Sequence, residues 1–141
     1  MSERAPRPHE AESHRVVSRP NTTFKPRRRG LSPTRQAQFE TWLQRWGLDD
    51  HGEMLDWSDV FAAGTAAVVL DIGFGHGEAT IAMAGAEPDV AIVGVEVHTP
   101  GVVNVLDAIE HTPLPNVRMV HGDVLRFLVR VPSASLSGIR I

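Results

Sequence analysis

The spacing of short apolar runs from Ala66 onward is the feature that most constrains how this chain can fold. Strands are expected at Ala67–Ile72, 91–97 and Val117–His121, with a fourth beginning near Ser137. They recur roughly every 25 residues, the length of a βα unit. Helical patterns fill the gaps: Glu78–Ala86, then 101–111 with Val102, Val105, Leu106 and Ile109 on one face, then a short one at 124–129. Thr99 and Pro100 suit the start of the second helix, and Asp123 can cap the third. Strands joined in this way wind into a parallel α/β sheet, here expected in the order 3-2-1-4.

The turn after the first strand reads "LDIGFGHGE", with Gly73, Gly75 and Gly77. A dinucleotide-binding turn has the form G-x-G-x-x-G, and its third glycine lets the helix pack closely on the strand while the helix N-terminus faces a pyrophosphate. Glu78 occupies the place of that third glycine, and Asp71 precedes the turn, where its charge opposes bound phosphates. A cationic ligand without phosphate suits the turn better.

S-adenosylmethionine has those properties, with an adenosine, a sulfonium, an ammonium and a single carboxylate. Gly73, Gly75 and Gly77 would let the backbone approach its methionine portion, and Asp71 would face the ammonium directly or through water. Glu96 ends the second strand, where a carboxylate can accept from both ribose hydroxyls. Asp123, after the third strand in "VHGDVL", can accept from the adenine amino group. Each acid also has an ordinary reading: local amides can satisfy Asp71, solvent can satisfy Glu96, and helix capping accounts for Asp123.

Charge divides the chain unevenly. Its net charge of -3 combines +6 over residues 1–35 with -9 over residues 36–141. The N-terminal stretch lacks apolar periodicity and contains Pro6, Pro8, Pro20, Pro26 and Pro33, so residues 1–31 are expected to form a disordered Arg-rich arm. Lys25, Arg27, Arg28 and Arg29 beside Phe24 form its densest cluster, suited to contacting phosphates and stacking on a base. A solvated tail that binds nothing specific is the competing reading.

Order is expected to begin at Ser32, an N-cap residue, followed by Pro33 at the first helical position. Phe39, Trp42, Leu43 and Trp46 then form one apolar stripe ending at Gly47. The chain contains no Cys, which removes cysteine nucleophiles and thiolate metal sites and fits a reducing cytosol. No apolar run approaches the roughly 18 residues needed to span a bilayer, so no membrane partner is expected and a cytoplasmic location is. His76 and Glu78 share the turn and His98 follows Glu96, but no metal-ligand spacing results, and no metal is expected.

The segments "LDIGFGHGEATIAMA", "IVGVEVHTPGV" and "NVRMVHGDVLRFL", in that order, resemble the bacterial tRNA (guanine-N7)-methyltransferases, and "FKPRRRGLSPTRQ" resembles the basic lead-in to their core. The resemblance runs from about Ser18 to Ile141. It implies a Rossmann-like S-adenosylmethionine-dependent methyltransferase fold, tRNA as partner, and cofactor contacts at Asp71, Glu96 and Asp123, with Asp71 a shorter acid where many members carry Glu. It also implies methyl transfer to N7 of a variable-loop guanine. That N7 has a lone pair and no proton to remove, so alignment matters more than an acid–base pair, and no catalytic residue is assigned.

In the family the fourth strand leads into an Asp-Pro-Trp-Pro type segment and a basic helical region that build the guanine pocket, whereas this sequence ends at "SLSGIRI". Residues 32–141 are therefore expected to be the N-terminal part of the domain, truncated at the fourth strand. Leu136, Ile139 and Ile141 would then form an apolar edge. Two other readings stay open: a non-catalytic RNA- or cofactor-binding fragment, and an NAD-type dinucleotide enzyme.

Overall fold

The computed structural model describes residues 30–141. Lys25, Arg27, Arg28, Arg29 and the arm that carries them lie outside the described residues. Helix α1 spans Pro33–Trp46. It starts where the sequence places it: the Ser32 Oγ accepts from the Arg35 backbone N–H at 3.2 Å, and Pro33 opens the helix. At its end the Gly47 N–H donates to the Leu43 carbonyl at 2.7 Å. Phe39 and Trp42 are buried, and Leu43 and Trp46 pack against the same core. Each aromatic buried in this way contributes about 1.5–3 kcal/mol.

Beyond α1 come α2 (Trp57–Val60), β1 (Ala67–Ile72), α3 (Glu78–Ala86), β2 (Val90–Glu96), α4 (Thr99–His111), β3 (Val117–His121), α5 (Val124–Leu128) and β4 (Gly138–Arg140). The four strands form one parallel sheet in the order β3-β2-β1-β4. Its fold class is the expected α/β, Rossmann-like arrangement. β2 is buried along almost its whole length, which explains its continuous apolar run in place of an alternating one. Ile92, Val117 and Met119 face the cluster formed with α1, α3 and α4. Ala91, Val93, Val95 and Val120 face the cluster formed with Phe61 and Phe127, beside α2 and α5.

The two sheet edges differ. At β3 the segment after α1 lies alongside the strand, with the Leu48 N–H donating to the Met119 carbonyl at 2.8 Å. The Arg118 guanidinium sits 5.2 Å from the Trp46 ring and 5.4 Å from the Phe61 ring, tying α1 and the end of α2 to that edge. At β4, Ile139 is 56% exposed and Ile141 fully exposed. Leu136, expected on this apolar edge, instead precedes the strand and packs partly buried against the cluster around Phe127. No helix among the described residues is long and apolar enough to cross a membrane.

Candidate functional site

Parallel winding brings the carboxyl ends of β1, β2 and β3 together, and the loops that follow them define a crevice. The glycine turn between β1 and α3 is held from several sides. The Gly73 N–H donates to the Val95 carbonyl at 2.9 Å, extending the β1–β2 pairing by one residue. Phe74 packs against the α4-side core, and a Cβ at Gly94 would lie 2.9 Å from its ring. The aromatic residue thus anchors a turn whose glycines cannot. The Asn104 Nδ2 on α4 donates to the His76 carbonyl at 2.6 Å.

Gly75 and Gly101 make the close approach possible. Gly75 adopts φ 62, in the left-handed region that favours glycine. A Cβ on Gly101 would lie 1.7 Å from the Gly75 carbonyl oxygen, so only glycine allows the first turn of α4 to sit under the loop.

Of the three acids expected here, Asp71 ends up buried on β1, 5% exposed, opposite Gly94 in the sheet. Its Oδ2 accepts from the Thr80 hydroxyl at 2.7 Å. Glu96, at the end of β2, accepts at Oε1 from the Val97 and His98 backbone N–H groups, both at 3.0 Å, and at Oε2 from the Gly75 N–H at 2.9 Å. Its carboxylate therefore holds the glycine turn against β2. Asp123 is the N-cap of α5, its Oδ1 accepting from the Leu125 N–H at 2.8 Å and the Arg126 N–H at 3.3 Å.

Asp50 was not anticipated from the sequence. Its Oδ2 accepts from the Asp123 N–H at 3.0 Å, and a Cβ on Gly122 would lie 2.5 Å from the same oxygen, so the loop after α1 fixes the turn that carries Asp123. Burial would raise the Asp50 pKa, but that amide bond, His51 and Arg126 outweigh it and hold the carboxyl below its ordinary value. On β3, His121 faces Glu96 across the sheet and lies 3.2 Å from the Thr99 hydroxyl. Burial lowers its pKa, opposed by its bond to the Val97 backbone and by the Asp50 and Glu96 charges.

Between the strand tips lies a cleft of about 90 Å³ lined by Gly73, Glu96, Val97, Gly122 and Val124, among others. A larger cavity of about 420 Å³ lies at the opposite end of the sheet, where Ala66, Ala67 and Val68 lead into β1 beside Trp57, Phe61 and Ser137. Size and chemistry disagree, and chemistry decides: the larger cavity has no titratable side chain in its wall, while open α/β sheets bind ligands at the carboxyl ends of their strands. His76 and His98 meet edge to face at 5.8 Å beside the crevice, and no cluster of three metal-ligating side chains occurs among the described residues.

Residues 65–141, more than half of the chain, match the family model described as "Putative methyltransferase". The chain belongs to that methyltransferase family. Among curated relatives, the tRNA (guanine-N(7)-)-methyltransferase of Streptomyces avermitilis is 40% identical over 120 residues, covering 84% of this chain and 41% of that protein. The tRNA (guanine-N(7)-)-methyltransferase of Mycobacterium avium is 40% identical over 134 residues, covering 86% of this chain and 50% of that one. The chain thus spans half or less of the length of these two relatives. The solved structure of the antibiotic-resistance methyltransferase Kmr is 26% identical over 69% of this chain and 42% of that one, with a TM-score of 0.40.

Proposed function

We propose that this methyltransferase-family chain carries the S-adenosylmethionine site of a cytoplasmic tRNA (guanine-N7)-methyltransferase. The observation that carries the reading is the placement of Asp71, Glu96 and Asp123 at the carboxyl ends of three successive parallel strands, around a turn with no Lys or Arg in it. Such a rim favours a cationic nucleoside and opposes a pyrophosphate. The names of the relatives support the substrate class.

The residues present fit the cofactor. A Cβ at Gly73 or Gly75 would meet nothing within 4 Å, so open space faces the turn. Helix α3 has no side-chain cap, which leaves first-turn amides for a carboxylate. Asp71 would take the ammonium, Glu96 the ribose hydroxyls and Asp123 the adenine amino group, with Val97 and Val124 against the purine faces. A carboxylate offers about four acceptor positions, and Glu96 already uses three. Ribose binding would therefore exchange with the Gly75 N–H, and that exchange would also widen a cleft smaller than the roughly 300 Å³ at which ligand pockets begin.

When bound, the cofactor would supply a methyl group on a positively charged sulfur to a guanine N7 that has no proton to lose. The chain's task is then alignment, through the acids and the glycine turn, without an acid–base pair. Lys25, Arg27, Arg28 and Arg29 would hold tRNA phosphates. Methyl-labelled cofactor, unmodified tRNA and this chain joined to the C-terminal half of the Streptomyces avermitilis relative test the reading. Label is expected in 7-methylguanosine; label in any other nucleoside would overturn the substrate.

A further inference from the structure

We infer that Thr80 is a positioning residue that sets the Asp71 carboxylate for the cationic amino end of the ligand; this rests on the cofactor reading above. Thr80 lies in the first turn of α3 and is 1% exposed, so its hydroxyl needs a partner inside the protein. A helical threonine commonly bonds back to a carbonyl one turn earlier. This one reaches across to β1 and donates to the Asp71 Oδ2 at 2.7 Å.

The consequence lies with the other oxygen. Among the described residues Asp71 makes no second side-chain hydrogen bond or ion pair, and no buried side-chain polar atom lacks a partner. Its Oδ1 therefore reaches solvent-accessible space although the residue as a whole is buried. The side chain is short: the strand backbone restricts its first torsion and the hydroxyl restricts the second. One oxygen is pinned, and the second is presented in a fixed direction as a charged acceptor. The Thr80 hydroxyl donates to Asp71 on β1, while the Glu96 carboxylate is held by backbone amides, so the influence of Thr80 should be confined to the amino end of the ligand and leave the adenosine end alone.

Calorimetric titration of the full chain with S-adenosylmethionine and with 5′-methylthioadenosine, which shares the adenosine but has no amino acid portion, tests this. Thr80→Val keeps the shape and removes the donor, and Thr80→Ser keeps the donor. Thr80→Val is expected to weaken S-adenosylmethionine binding about tenfold or more, the lower end of the scale of one lost hydrogen bond to a charged group. Thr80→Ser should stay within about twofold of the parent, and all three proteins should bind 5′-methylthioadenosine alike. Unchanged S-adenosylmethionine affinity in Thr80→Val overturns the inference alone, as does a parallel loss of both ligands, which marks a purely structural role. A parent that binds neither ligand overturns the cofactor reading and the inference with it.

Discussion

On the β2–β3 side of the crevice the Glu96 carboxylate accepts from three backbone amides, and Asp123 caps a helix while its own amide is held by Asp50. On the β1 side Asp71 accepts from a single hydroxyl and keeps one oxygen accessible. The first side is bonded to its own backbone, so a ligand gains there only the difference between its hydroxyls and the amide it replaces. The second side presents a preset charge that a cation can meet without breaking any internal bond. On the proposed reading, affinity for the nucleoside and selectivity for a cation would be lodged in different strands, with the glycine turn spanning both.

Substitutions on the two sides should separate these contributions. Glu96→Ala carries the largest expected effect: S-adenosylmethionine binding should weaken by about 2–4 kcal/mol, because a charged acceptor for two hydroxyls is lost. Titration calorimetry checks it, and equal affinity in variant and parent would remove the ribose from the tip of β2. A smaller effect is expected from acid. The pKa of His121 is lowered by burial in the folded chain, so the unfolded chain takes up the proton first. Stability should be flat above the ordinary histidine range and fall as pH drops through about 6.5 towards the folded-state value. Thermal melts between about pH 8 and pH 5.5 should show this decline, and His121→Gln should reduce it. A decline of equal size in the variant would show that another group is responsible.

Much of this was legible in the sequence. β1, β3 and α3 have the expected bounds, and β2 starts one residue earlier, at Val90. Local chemistry determines such features: a β-branched run, a proline at a helix start, a glycine at its end. The four-residue helix α2 escaped because it is too short to show a period. Asp50 escaped for a different reason, since its partner lies 73 residues away and nothing near it in the sequence marks the contact. Likewise the three acids could be placed at strand tips from spacing, but how each is bonded depends on where the turn folds back. The sequence shows that Glu96 follows a strand; only the closed loop shows that Gly75 rests on it.

The most direct measurement is a pair of calorimetric titrations of the unmodified chain, one with S-adenosylmethionine and one with NADH. A crevice rimmed by Asp71, Glu96 and Asp123 should bind the sulfonium nucleoside saturably and leave the dinucleotide without detectable heat. Saturable NADH binding with none for S-adenosylmethionine would contradict the account.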